Sequence, residues 1–171
     1  MKKLIIISAF SFLVVVAAGA QEIFQKGESV VNIGLGLGDN IPIEASYERS
    51  VVDGLIGGEN GSIGVGGYLA YYGHSESFAG GKLSYSDIVI GVRGAFHYQF
   101  VDKLDTYAGL MIGYDIASAK WNGLGNVTAS GNKLSPSVFV GARYYFTPSV
   151  GAYAELGYGI AYLSVGVTFK F

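Results

Sequence analysis

The side chains able to do chemistry are few in this 171-residue chain. It contains 2 histidines and no cysteine, too few soft or imidazole ligands for a transition-metal site. A hydrolytic site needs a nucleophile, a base and an orienting group that converge. His74-Ser75-Glu76 supplies the three types consecutively, but adjacent residues cannot all point at one substrate. His97 stands in Phe96-His97-Tyr98-Gln99 with no serine two positions on. Gly34-Leu35-Gly36-Leu37-Gly38 has the look of a phosphate loop, yet no helix follows it and the third glycine is misplaced. Trp121 lies in a Gly/Asn/Ser-rich stretch, where local packing is the simpler role and a binding anchor the alternative. No catalytic group, cofactor or metal is expected.

A different set of ionisable residues recurs at alternate positions: Glu44, Glu48, Asp87, Arg93, His97, Asp115, Arg143 and Glu155, with Lys170 near the end. Their chemistry is pairing. Which elements place them on one side follows from the alternation itself. Successive residues of a strand point to opposite faces, and period-two segments fall at roughly 30–37, 41–48, 62–72, 87–100, 106–116, 137–146, 150–158 and 162–171. On one face stand residues such as Ile33, Leu35, Ile43, Leu69, Ile90, Val92, Leu110, Ile112, Val140, Leu156 and Val165, and no charge interrupts the set. The other face carries the ionisable residues among Gly34, Gly66, Gly91, Gly109, Gly141 and Gly166, with Tyr68, Tyr72, Tyr107, Phe139, Tyr145 and Tyr153.

Two architectures fit such a pattern. A soluble, lipocalin-like periplasmic barrel would turn the apolar face inward around a ligand; a membrane barrel turns it outward to lipid. Soluble sheets guard their outer face with Lys and Glu, whereas here that face would be mostly glycine and tyrosine. Aromatics of the apolar set also gather near segment ends, as at membrane interfaces: Tyr47, Tyr71, Tyr144, Phe146, Tyr158, Phe169. The expected fold is therefore all-β, an eight-stranded antiparallel up-and-down transmembrane β-barrel, with an even strand number pairing every edge. Within so narrow a barrel the charges at Glu44, Glu48, Asp87, Arg93, His97, Asp115, Arg143 and Glu155 would form a packed polar cluster, because buried charges need partners. Arg143 and Glu155, on one hairpin, are expected to pair.

Export is expected too. Lys2 and Lys3 precede the apolar run Leu4–Val16, which ends in the small residues Ala18-Gly19-Ala20. That order reads as a cleaved signal peptide over 1–20, leaving a barrel domain over 21–171. Of the 11 basic residues two fall in the leader, so the remainder carries an acidic excess of about 4 against its 13 carboxylates. Such a balance excludes nucleic acid as a partner. Charged residues are only 14% of the chain, well under the usual quarter or so, and no later apolar segment is long enough for a spanning helix.

Turn chemistry at Gly38-Asp39-Asn40, Val101–Asp105 and Thr147-Pro148-Ser149 marks short connections. The stretches 73–86 and 117–135 read as long loops at one barrel end, the candidate site for a surface ligand. Residues 51–61 read as an over-long connection at the other end.

The last segment, Tyr162 to Phe171, alternates cleanly through Leu163, Val165, Val167, Phe169 and Phe171. It resembles the closing strand of outer-membrane barrels, in which that pattern is read by the barrel-assembly machinery. Gly141-Ala142-Arg143-Tyr144-Tyr145-Phe146-Thr147-Pro148, followed by Glu155-Leu156-Gly157-Tyr158-Gly159, resembles the penultimate hairpin of the small OmpX/OmpA-like outer membrane protein β-barrel domain family. Glu48 and Gly61-Ser62-Ile63-Gly64-Val65-Gly66-Gly67-Tyr68 are similar to Bacteroidetes-type members. The resemblance implies an integral protein of a Gram-negative outer membrane, in contact with its lipid, with a structural or surface-interaction role rather than a wide pore. The PagL-like lipid A deacylases are barrels of similar size, but their Ser-His-Glu set has no counterpart at His74 or His97.

Overall fold

The structure is a computed structural model that describes residues 24–38, 41–56, 60–78, 81–123 and 127–171. The expected signal peptide and part of the turn at Asp39-Asn40 lie outside the described residues. Eight strands follow one another: β1 (Ser29–Leu37), β2 (Ile43–Leu55), β3 (Gly61–Phe78), β4 (Gly81–Val101), β5 (Leu104–Gly123), β6 (Val127–Tyr145), β7 (Val150–Tyr158) and β8 (Leu163–Lys170). Each pairs antiparallel with the next, and β1 pairs with β8 from Val30↔Lys170 to Leu37↔Leu163, closing the barrel. Closure leaves no strand edge to be desolvated in lipid.

The two faces land on opposite sides of the wall. Ile90, Leu110 and Val140 are more than half exposed on the outside, while their neighbours Val89, Met111, Phe139 and Arg143 are buried within. This orientation rules out the lipocalin-like arrangement, in which the exposures would be reversed. Inside, bulky rings lie over glycines of nearby strands: a Cβ on Gly141 would meet the Tyr107 ring, one on Gly109 the Phe139 ring, and one on Gly34 or Gly166 Tyr153. Eight strands enclose little more than side-chain volume, so glycine on one strand is what admits an aromatic from a nearby one.

The start of β1 and the end of β8 lie together at one end, here the lower end, where Ser29 and Phe171 exchange backbone hydrogen bonds at 2.8 and 2.9 Å. Register shifts at Ser50/Val52, Val52/Leu55 and Gln99/Val101 also sit there, bulges that bend a strand and end its pairing. Within the stretch 51–61, residues 51–55 are thus strand, β2 continuing in bulged form to Leu55. The turn between β4 and β5 narrows to Asp102-Lys103, with Lys103 at φ 65°. At Thr147-Pro148-Ser149 the Thr147 hydroxyl accepts from the Val150 amide at 3.0 Å.

The main departure from the sequence reading is at the upper end. Of the stretches 73–86 and 117–135, the described residues 73–78, 81–86, 117–123 and 127–135 are paired strand, not loops: His74 faces Tyr85, Ser86 faces Ser118, and Ala119 faces Ala129. Strands β3 to β6 run 18, 21, 20 and 19 residues, against 9, 9 and 8 for β1, β7 and β8. A tilted strand crosses a bilayer in roughly ten residues. The surplus forms a four-stranded wall that stands about 20–25 Å beyond the rest of the rim, at ~3.3 Å per residue and a tilt near 45°.

Candidate functional site

The expected polar cluster resolves into three separate groups. The lowest is a closed ring. Asp105, entering β5 beside the turn, accepts from His97 Nδ1 at 2.9 Å and from Arg143 Nη1 at 2.9 Å. Glu48 accepts from His97 Nε2 at 2.9 Å and from Arg143 Nη2 at 2.5 Å. Two cations and two carboxylates from β2, β4, β5 and β6 therefore alternate around one circuit. A carboxylate can only accept, so the circuit is satisfied when both imidazole nitrogens carry protons. All four side chains are at most 2% exposed. Arg93 extends the ring upward: its Nη2 donates to Glu155 Oε2 at 2.7 Å and its Nε stands 3.9 Å from Glu48. Three cations thus meet three carboxylates, the balance that a desolvated cluster requires.

Aromatic rings seal this group on both sides. Arg93 lies 3.9 Å over the Phe139 ring and Arg143 4.4 Å over Tyr107, contacts that favour a guanidinium when water is excluded. From below, the Phe24 ring is wholly buried 4.4 Å from His97. A turn fixes it there: Glu28 donates its amide to Gln25, Gly27 donates to Ser50, and Lys170 Nζ donates to Glu28 at 3.1 Å.

Glu44 forms the second group, apart from the ring. Tyr68 and Tyr153 each donate a phenol hydrogen bond to it at 2.8 Å, and Ser164 a third at 3.0 Å. Asp87 and Asp115 form the third, at the upper mouth. Asp87 accepts from Tyr72, and Asp115 stands 3.6 Å from Lys133. Gly91 and Val89, the inward positions between Arg93 and Asp87 on β4, part the upper carboxylates from the ring.

The expected Arg143–Glu155 pair does not form. Their register sets Glu155 opposite Gly141 and Arg143 opposite Tyr153, and each long side chain instead crosses the lumen, Arg143 to Glu48 and Asp105 and Glu155 to Arg93. Asp105 and Phe24 are the participants that sequence reasoning missed. Stepping back two residues from Tyr107 reaches Asp105 on the inward face; Phe24 precedes the first strand and carries no alternation signal.

The remaining candidates resolve by parity. His74 and Glu76 share the inner face of the wall, 3.5 Å apart, and Ser75 between them points the other way. Both His97 nitrogens are engaged by carboxylates, so neither is available as a base. Among the described residues no group of three or more His, Cys, Asp or Glu could hold a metal ion. Trp121 is half-buried on the inner face, across from Leu83 and Val127.

The wall has two unlike faces. Inside stand Tyr72, Tyr85 and Trp121 with His74, Glu76, Asp87 and Asp115. Outside, the lipid-facing parity continues upward but changes character within one pair: Tyr71, Ile88 and Ile116 give way to Gly73, Ser86 and Ser118. A cavity of about 320 Å³ opens at the foot of the inner face between Tyr72, Tyr158 and Tyr162.

No family model matches the chain, and no curated protein does. Solved structures do. Ail, the attachment invasion locus protein of Yersinia pestis, is 16% identical over 86% of this chain and 100% of its own, with a TM-score of 0.55. Neisserial surface protein A is 16% identical over 84% and 95%, with a TM-score of 0.57. A de novo designed transmembrane β-barrel is 15% identical over 86% and 98%, with a TM-score of 0.55. The likeness to natural and designed barrels alike is one of architecture: this chain has the fold of the small eight-stranded transmembrane β-barrels.

Proposed function

We propose that residues 1–20 direct export and are removed, and that residues 21–171 insert into the outer membrane of a Gram-negative bacterium as a closed, non-enzymatic barrel presenting the β3–β6 wall to a surface partner. The barrel-assembly machinery would read Leu163, Val165, Val167, Phe169 and Phe171, which alternate on the outer face of β8. With the termini in the periplasm, the wall stands outside the cell. The observation that carries the reading is the division of labour within one sheet. Short strands meet the needs of spanning, while four doubled strands all extend at the same end.

The lumen clusters serve as the plug of this barrel. Every charge in the lower ring has its partners, and Phe24 and the Tyr107–Phe139 layer close it below and above. An ion-conducting path would need mobile, hydrated groups; a desolvated ring of matched charges offers none. Ail has been seen in complex with the heparin analogue sucrose octasulfate. The inner face of the present wall carries Glu76, Asp87 and Asp115, so a polyanion is not the partner that face suits. A neutral or cationic surface with aromatic groups is.

Fractionation and conductance test the reading together. The protein is expected to stay in urea-washed outer membranes, to shift in electrophoretic migration on boiling, and to give no stepwise current in planar bilayers. Release by the wash, or stable conductance steps, would overturn it.

A further inference from the structure

The outer face of the wall holds a feature that a surface-partner role does not use. Where β3 leaves β2, a cavity of about 500 Å³ runs along the sheet, with Ile41, Ile43 and Tyr71 at its foot and Ser84, Ser86 and Lys120 above. Its foot is continuous with the apolar band: Ile41 and Ile43 are more than 60% exposed and Tyr71 half exposed. Its upper part begins one pair above Ile88↔Ile116, the last aliphatic pair on these strands, at the depth where acyl chains end and headgroups begin.

Charge and hydrogen-bonding capacity are sorted to match. Lys82 and Lys120 are diagonal neighbours, since Lys82 pairs with Asn122 and Ser84 with Lys120. The remaining outward positions of the wall are hydroxyls, amides and glycine, including Ser75, Ser118, Ser130 and Asn132. Parity sends Glu76, Asp87 and Asp115 to the opposite face, so no carboxylate shares this one. Lysines just above the acyl region are drawn electrostatically to anionic lipid headgroups.

We infer that this groove binds the phosphorylated saccharide headgroup of a lipid in the surrounding outer leaflet, with Lys120 and Lys82 meeting phosphate, the serine hydroxyls meeting sugar, and Ile41, Ile43 and Tyr71 lining the acyl chains. A soluble protein partner would have no need of the apolar foot, which the membrane itself covers. A zwitterionic headgroup would leave the lysine pair unmatched. The inference rests on the membrane orientation proposed above.

The test uses residues 21–171 refolded into phosphatidylcholine vesicles that contain either bis-phosphorylated lipid A or the same lipid A after phosphate removal. Lipid retained after mild detergent extraction is read by native mass spectrometry, and migration with and without boiling reports insertion. The wild type is expected to retain the phosphorylated form roughly tenfold over the dephosphorylated one, with a similar loss in Lys82→Gln/Lys120→Gln. Lys133→Gln, which removes one lysine charge from the inner face instead, is expected to retain lipid as the wild type does. Equal retention of the two lipids, wild-type retention by the double variant, or displacement by inorganic phosphate alone would overturn the assignment. A chain that inserts into neither vesicle contradicts the membrane orientation itself, and the inference falls with it.

Discussion

Replacing Arg143 with methionine keeps most of the side chain's length and removes its charge, so the substitution isolates what the lower ring is for. Arg143 is wholly buried and donates to both Glu48, at 2.5 Å, and Asp105, at 2.9 Å. Without it the lower group holds two cations against three carboxylates, and one buried negative charge has no partner. Breaking a desolvated ion pair by removing one member costs about 3–5 kcal/mol, against a total stability of roughly 5–15 kcal/mol for a typical domain. Arg143→Met is therefore expected to lose about 3–5 kcal/mol in guanidinium titrations of the vesicle-inserted protein, followed by far-UV circular dichroism and by the unboiled band. Glu48→Gln on the Arg143→Met background restores neutrality, and the pair should show a coupling of about 1–3 kcal/mol in a double-mutant cycle. A single-variant loss below about 1 kcal/mol, or strict additivity, would refute the idea of one coupled charge circuit.

Four further outcomes follow from the packing and from the outward belt. Phe24→Ala removes a fully buried ring from beneath His97 and should cost about 3 kcal/mol, with faster amide exchange at the lower ends of β3 and β4; unchanged exchange would show that the ring does not seal that end. Gly141→Ala sets a methyl 2.5 Å from the Tyr107 ring and should destabilise by about 1–3 kcal/mol. Gly131→Ala, which meets nothing within 4 Å, should stay within about 0.5 kcal/mol of wild type in the same titration. Leu110→Arg places a charge on the outward belt and should cost about 2–4 kcal/mol in vesicles; a neutral result would mean that Leu110 meets water.

The alternation exposed the eight strands and the two faces because burial differs between the faces wherever one of them meets hydrocarbon. It failed where both faces are wet. Ser84, Ser86, Ser118 and Ser130 carry no hydrophobic period, so the upper halves of β3 to β6 read as loops, although backbone pairing continues regardless of side-chain polarity. Which residues face the lumen was legible for the same reason. Which of them pair was not: Glu155 reaches Arg93 across 62 residues of chain and Arg143 reaches Glu48 across 95. Such partnerships are set by barrel closure and stagger, which spacing along a single hairpin does not encode. Asp105 was lost to a turn drawn too wide, and Phe24 to its place outside every strand.

In the proposed orientation the uncharged face of the barrel meets lipid up to Ile88 and Ile116, and water begins at Ser86 and Ser118. Spin labels placed one at a time at Leu110, Ile90, Ile88, Ser86 and Ser84 in the vesicle-inserted protein test it directly, through collision with oxygen and with a water-soluble nickel chelate. Oxygen should dominate at the first three positions and the chelate at the last two. Chelate access at Leu110 and Ile90, or lipid-like exposure at Ser84, would contradict it.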